Sequence, residues 1–178
     1  MNFDAVITGI RAYNIHEVLA LKQPILLEYV RNGGNMIVQY NTAQQLKVKD
    51  NLAPYAVQLS NDRVTDENAE VRFLDPGQAV LNYPNKISKA DFEGWVQERG
   101  LYFPKTWAPE FVPVLSMNDK GEGAKDGSLL VAKYGKGTYI YTGLSFFREL
   151  PAGVPGAYKL FVNMVHAGES PKEIRVKN

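Results

Sequence analysis

The chain has 178 residues, of which 45% are hydrophobic and 22% charged, enough to build one sizeable core and to favour a single domain over residues 1–178. Twenty Lys and Arg residues against nineteen Asp and Glu give a formal net charge of +1, which argues against nucleic acid or an anionic membrane surface as a partner. The absence of cysteine excludes disulfides, thiolate metal sites and a cysteine nucleophile.

The N-terminus leads into a strand almost at once. Residues 1–4 lack the basic and apolar regions of a signal peptide, and no apolar run reaches the roughly 18 residues of a membrane helix. A domain that starts so abruptly is expected to be a fragment or module of a longer protein, a hypothesis that the full-length gene sequence would test.

The first forty residues predict a strand, a helix and a second strand. Ala5–Thr8 is a short apolar run that ends at Gly9, and residues 36–38 form another. Between them, Pro24 occupies a predicted first helical position and Gly33 the helix stop, with apolar residues at helical spacing in between. This order predicts a βαβ unit with parallel strands and a right-handed crossover.

The middle of the chain carries weaker signals. Residues 43–64 show little periodicity and are predicted to be mostly loop, whereas residues 70–74 alternate and predict a strand that ends at Asp75-Pro76-Gly77.

A central segment, residues 91–103, interleaves four charged side chains with four aromatic ones. Ser88 and Asp91 resemble a capping box that begins a helix through this segment, with Phe92, Trp95 and Val96 on one face. The aromatic residues of 102–111 are punctuated by prolines and predict a loop. We expect the central segment to act as a lid or contact surface over the strand ends.

The last third predicts strands over residues 112–115, 128–132 and 138–142. The turn signal at residues 134–137 makes the last two an antiparallel hairpin. A closing helix over residues 158–165 and a peripheral tail over 168–178 complete the chain.

Polar side chains follow several predicted strands, and the carboxyl ends of parallel strands meet at one edge of a sheet. Converging polar groups are the default signature of a binding site, although the same groups often cap helices and tie loops together. With three residues of the central segment, the candidate ligand-binding residues are Arg11, Tyr13, Asn14, Gln39, Tyr40, Asn41, Trp95, Glu98, Arg99, Arg148 and Glu149.

Catalytic readings of individual residues are less favoured. His16 and Thr42 have no visible catalytic partner, and the carboxylates of the central segment are better explained by an ion-pair network than by an acid/base pair. The aromatic residues suit stacking on a sugar, packing in a core, or contact with another domain. We therefore expect no catalytic residue, no metal site and no cofactor.

Five stretches carry a resemblance to a known family. They are residues 9–14, 38–42, 63–67, the central segment and residues 142–153. Together they resemble the C-terminal module of large PIG-L (LmbE-like) deacetylases of Bacteroidetes type, which is similar to the class I glutamine amidotransferase-like fold of ThuA-like proteins. The resemblance implies a flavodoxin-like three-layer α/β sandwich with a mostly parallel central sheet and an antiparallel hairpin near the C-terminus.

The resemblance does not bring catalytic residues with it. The PIG-L zinc motif is absent, and Tyr40-Asn41-Thr42 stands where an amidotransferase would carry its cysteine. The resemblance thus implies a non-catalytic accessory module of a sugar de-N-acetylase, with carbohydrate binding or domain assembly as its role. Its partners would be a carbohydrate-type small molecule, and a PIG-L deacetylase domain or a second copy. The alternative is a hydrolase with a rebuilt, non-cysteine active site at the strand ends.

Overall fold

The computed structural model describes residues 3–48 and 51–168. Its strands are β1 (Ala5–Thr8), β2 (Asn35–Gln39), β3 (Val57–Val64), β4 (Arg72–Phe73), β5 (Gly100–Trp107), β6 (Phe111–Pro113), β7 (Leu115–Ser116), β8 (Leu129–Tyr134) and β9 (Gly137–Thr142). Its α-helices are α1 (Ala12–Ile15), α2 (Glu17–Arg31), α3 (Phe146–Glu149) and α4 (Pro155–Val165), with short 3-10 helices at Ala79–Leu81 and Lys89–Phe92.

A five-stranded mixed sheet in the order β1-β2-β9-β8-β6 forms the centre of the α/β fold. Strands β1, β2 and β9 are parallel, whereas β8 runs antiparallel to both β9 and β6. The predicted parallel βαβ unit and the predicted β8–β9 hairpin are therefore confirmed.

The sheet separates two hydrophobic cores because successive side chains of a strand point to opposite faces. Met36 and Tyr139 face α2, where they pack with Val30. Their neighbours Ile37 and Ile140 face the opposite side, where α4 packs. The result is a three-layer arrangement of helix, sheet and helix.

Helix α2 is longer than the sequence predicts. It begins at Glu17, so Pro24 lies inside it rather than at its first position. Apolar residues on both sides of the proline, including Leu19 and Leu26, pack against the same core, and their burial outweighs the cost of the missing N–H. The helix ends at Arg31, just before the predicted stop at Gly33, whose φ of 116° suits glycine.

Parts of two predicted loops form a strand pair. β3 and β5 are antiparallel partners, so the loop predicted over residues 102–111 is largely a strand. The prediction for residues 43–64 is correct for the described residues before β3, and β3 itself is the part that it missed. Pro104 is tolerated in β5 because the register shifts near it and the two-stranded sheet leaves one edge of β5 free of a described partner strand. The pair places Tyr102 and Phe103 beside Tyr40 and Gly143, which directly follow β2 and β9.

The central segment does not form the predicted long helix. The Ser88–Asp91 capping box is present, but the helical turn that it begins ends at Phe92. The backbone then takes positive φ angles at Gly94 and Gln97, of 71° and 67°, which a helix does not allow. Phe92, Trp95 and Val96 consequently do not share a helical face.

The remaining predictions are met in part. The strand expected over 70–74 is reduced to β4, and the one expected over 112–115 divides into β6 and β7. The closing helix is present as α4, and the predicted tail lies outside the described residues beyond Gly168. Within residues 3–48 and 51–168, no helix has the length and apolar character needed to cross a membrane.

Candidate ligand site

A cavity of about 760 Å³ lies at the carboxyl ends of the parallel strands. This volume falls within the range of about 300–1,000 Å³ typical of small-molecule sites. We call it the strand-end cavity, and its lining residues are Arg11, Tyr40, Gln44, Asn61, Arg63, Glu98, Leu101, Tyr102, Phe147 and Arg148.

Arg11 reaches the cavity from the turn after β1. Its backbone is left-handed, with φ 56° and ψ 16°, and its N–H donates to the carbonyl of Tyr40 at 2.7 Å. Two residues later, the N–H of Tyr13 donates to Asn41 Oδ1 at 2.9 Å. These two bonds join the ends of β1 and β2 and hold the uncommon conformation of Arg11 in place.

An aromatic cluster of Tyr40, Tyr102 and Phe147 forms one wall. The ring centroid of Tyr40 lies 5.3 Å from that of Tyr102 and 5.6 Å from that of Phe147. Burial, together with the neighbouring Tyr102, raises the pKa of the Tyr40 hydroxyl, which therefore stays protonated at neutral pH. Tyr102 has a φ of 55°, a conformation that is rare for a bulky residue.

Glu98 and Arg148 form an ion pair in the cavity wall. Arg148 Nε lies 2.6 Å from Glu98 Oε1, and the Glu98 side chain is only 12% exposed. The guanidinium also covers the Phe147 ring, with its Cζ 4.8 Å from the ring centroid. Arg148 is thus held in position by both an acid and an aromatic face.

Three of the predicted strand-end residues are buried beneath the cavity. The Tyr13 hydroxyl donates to Gln23, and burial raises the Tyr13 pKa above its ordinary value. Asn14 donates to the carbonyls of Thr42 and Gln44, while Asn41 Nδ2 donates to the carbonyl of Gln39. These residues support the loops whose other side chains line the cavity.

Gln39 is half-buried at the end of β2. Its Nε2 lies 3.4 Å from the Thr8 carbonyl, so it bridges the ends of two adjacent strands. It lies among the supporting residues and not among those that line the cavity.

Arg99 and Trp95 lie in the core rather than on a lid. Arg99 is 5% exposed and donates to the carbonyls of Ala69 and Phe92. Trp95 is 3% exposed, and its Nε1 donates to the Asp91 carbonyl. From the central segment, the cavity lining receives Glu98, Leu101 and Tyr102 instead.

Glu149 is also fully buried. Its carboxylate accepts the N–H of Val96 at 3.0 Å and the Ser145 hydroxyl at 3.3 Å. Burial raises its pKa, although these hydrogen bonds and the positive charges of Arg99 and Arg148 oppose the shift. Glu149 thus fixes the segment that precedes Glu98.

Four of the predicted site residues therefore line the cavity: Arg11, Tyr40, Glu98 and Arg148. Sequence reasoning missed Asn61 and Arg63, which point the same way from β3 because they are two residues apart. The alternation of Val57, Gln58 and Leu59 is the signal that would have identified this strand.

The lining offers binding groups more than catalytic ones. It contains guanidinium, amide and aromatic side chains, with Glu98 as its one carboxylate. His16 is exposed beyond the end of α1, and the Thr42 hydroxyl donates to the Gln44 carbonyl. Among the described residues, no three His, Cys, Asp or Glu side chains lie close enough together to hold a metal ion.

Comparisons with known proteins identify the fold alone. No family model and no curated protein sequence matches the chain. Among solved structures, the cytoplasmic protein STM3548 from Salmonella typhimurium aligns with a TM-score of 0.59 at 14% identity, over 92% of this chain and 71% of its own. The cytoplasmic protein STM1381 from Salmonella typhimurium LT2 gives 0.52 at 11% identity, over 94% and 73%.

A beta-galactosidase from Rahnella sp. R3 also has this fold in part of its chain. It aligns with a TM-score of 0.53 at 16% identity, over 99% of this chain but only 23% of the enzyme. At identities this low, these likenesses support a mixed α/β architecture with helices on both faces of the sheet.

Proposed function

We propose that this chain is a non-catalytic, amidotransferase-like accessory module that binds a carbohydrate in the strand-end cavity. The flavodoxin-like form of the fold is part of the proposal. Parallel β1, β2 and β9, helices on both faces of the sheet, and a cavity at the strand carboxyl ends support it.

The aromatic cluster is the observation that carries the proposal. Tyr40, Tyr102 and Phe147 present ring faces and edges beside the amides of Gln44 and Asn61 in one open cavity. A sugar has apolar ring faces that pack on aromatic side chains and hydroxyls that bond to amides and guanidiniums. The same cavity therefore offers partners to both parts of a sugar.

The residues at the expected nucleophile position support a non-catalytic role. Asn41 is buried, with its side chain bonded to two backbone groups, and the Thr42 hydroxyl is bonded to the Gln44 carbonyl. Among the described residues, no histidine forms a hydrogen bond with either side chain. A hydroxyl without a neighbouring base is a weak nucleophile.

Association with a sugar de-N-acetylase rests on the family resemblance. The beta-galactosidase offers a parallel in architecture, because there a segment of this fold occupies about a quarter of a longer enzyme. We propose the same modular relationship here, with the catalytic zinc site on another domain.

Binding is tested by titrating the ¹⁵N-labelled chain with a panel of neutral and acidic mono- and disaccharides and following amide shifts by NMR. We expect saturable shifts confined to residues around the strand-end cavity, lost in Phe147→Ala. Tyr158→Ala is the matched control, since Tyr158 is an exposed aromatic residue of α4. Shifts from no sugar, or shifts equally retained in Phe147→Ala, contradict the proposal.

The alternative, a hydrolase with a rebuilt site, depends on Glu98. This shielded carboxylate lies in the cavity wall and is the one acid available there. If the full-length protein loses its sugar hydrolysis in Glu98→Gln while retaining its zinc site, the chain is an enzyme; unchanged hydrolysis excludes that alternative.

A further inference from the structure

We infer that the sugar of the strand-end cavity is an acidic one, whose anionic group lies among Arg11, Arg63 and Arg148. The inference rests on the proposed function and narrows it to one class of ligand.

The charge of the lining is the first argument. Three guanidiniums face the cavity against one carboxylate, so the lining carries a net charge of about +2 in a chain whose overall charge is only +1. Glu98 is already engaged with Nε of Arg148. The two remaining guanidiniums, those of Arg11 and Arg63, therefore have no carboxylate partner in the described part of the chain.

The free donors of the arginines are the second argument. The guanidiniums of Arg11 and Arg63 make no hydrogen bond or salt bridge with a residue of the described ranges, and Arg148 uses only Nε. Guanidinium donors form a planar fork that matches the two oxygens of a carboxylate or the oxygens of a phosphate. An anionic oxygen group would satisfy these donors together.

The origin of the three side chains is the third argument. Arg11 comes from the turn after β1, Arg63 from β3 and Arg148 from α3. Three separate elements thus bring these positive charges to one cavity. Arg11 is in addition held in a left-handed conformation that the rest of the fold maintains. A bound anion would be attracted by all three side chains.

The remaining lining explains why the anion would belong to a sugar. Tyr40 and Tyr102 offer rings to a pyranose, and Gln44 and Asn61 offer amides to its hydroxyls. A free inorganic anion would leave these groups unused.

The test compares D-glucuronate, D-glucose 6-phosphate, D-glucose and inorganic phosphate by NMR titration of the labelled chain at pH 7. We expect at least one acidic sugar to bind about tenfold or more tightly than glucose and than phosphate alone. The stronger of glucuronate and glucose 6-phosphate identifies whether the anionic group is a carboxylate or a phosphate.

The variants are Arg11→Asn, which tolerates the left-handed backbone, and Arg63→Gln. Each should weaken binding of the acidic sugar by about tenfold and weaken glucose binding by a clearly smaller factor, because only the acidic sugar loses a charge-assisted hydrogen bond. Arg31→Gln is the matched control, because this exposed arginine lies at the opposite end of the sheet. Preserved folding of each variant is checked by its amide spectrum.

Equal affinity for glucose and the acidic sugars, unaffected by both variants, overturns the inference and leaves the proposed function in place. Phosphate binding as tight as the acidic sugars also overturns it. Absence of binding by every sugar of the panel overturns the proposed function itself.

Discussion

Tyr102 and Phe103 are adjacent in β5 but serve different purposes. Tyr102 is half-buried at the cavity with a φ of 55°, whereas Phe103 is fully buried in the core. Such strained conformations cost folding free energy and cluster at functional sites, where the strain serves the function of the site.

We predict that Tyr102→Gly lowers the free energy of unfolding by less than about 2 kcal/mol, since glycine adopts the positive φ without strain. The same variant should lose sugar binding. Phe103→Ala, by contrast, should cost about 3–5 kcal/mol by opening a cavity in the core. Urea unfolding and NMR titration measure the two effects; a large stability loss in Tyr102→Gly with retained binding contradicts this account.

Glu98 provides a second contrast at the scale of a residue. If the ligand is acidic, Glu98→Gln removes the nearest negative charge and frees a donor of Arg148, so affinity for the acidic sugar should rise about 2–5-fold. If the ligand is neutral and Glu98 accepts its hydroxyls, the same variant weakens binding. Titration of this variant with glucuronate and glucose separates the two cases.

The central segment packs in the core around the guanidinium of Arg99. Arg99 donates to two carbonyls and lies 5.9 Å and 5.8 Å from the ring centroids of Phe92 and Trp95. Burial lowers the pKa of this guanidinium, although nearby carboxylates oppose the shift. The contacts of the Arg99 side chain with two carbonyls and two rings therefore hold the irregular backbone of the segment in place.

Replacing Arg99 with Met leaves the carbonyls of Ala69 and Phe92 buried without donors. We expect a loss of about 3 kcal/mol or more in the free energy of unfolding. Arg31→Met, which removes an exposed arginine, should change it by less than about 0.5 kcal/mol. Similar unfolding midpoints in urea for the two variants would show that Arg99 does not hold the segment.

The capping box at the start of the segment gives a prediction on pH. Burial would raise the pKa of Asp91, but hydrogen bonds from Lys159 and Ser88 outweigh it and lower the pKa below its ordinary value of 3.8. A lowered pKa stabilises the fold at pH values above 3.8, and that contribution is lost as the pH falls through the folded-state value.

Asp91→Asn should therefore cost about 1 kcal/mol at pH 7, as is typical for a lost cap. The difference from the wild-type chain should shrink as the pH drops below 3.8. Unfolding curves at a series of pH values measure it, with Glu17→Gln as an exposed control. A difference that is constant with pH would show that the charge of Asp91 makes no contribution.

At the scale of the whole molecule, the sequence predicts those structural features that local sequence patterns determine. The β1–α2–β2 unit, the β8–β9 hairpin and the convergence of Arg11, Tyr40 and Arg148 all follow from local patterns and from the geometry of parallel strands. The structure also supplies the predicted capping box at Ser88.

What the sequence does not predict depends on partners far along the chain. The pairing of β3 with β5, which brings Arg63 to the cavity, joins segments about forty residues apart. Local patterns also cannot distinguish a buried cation bonded to carbonyls, such as Arg99, from an exposed one. The sequence therefore predicts the candidate site in part, without the residues that β3 contributes to it.

The central claim is that an acidic sugar occupies the strand-end cavity. A crystal structure of the chain grown with saturating D-glucuronate or D-glucose 6-phosphate tests it most directly. We expect the sugar ring against Tyr40 or Tyr102, with its anionic oxygens within hydrogen-bond distance of Arg11 and Arg63. A sugar bound elsewhere on the chain, or in the cavity with its anionic group turned away from both arginines, would contradict it.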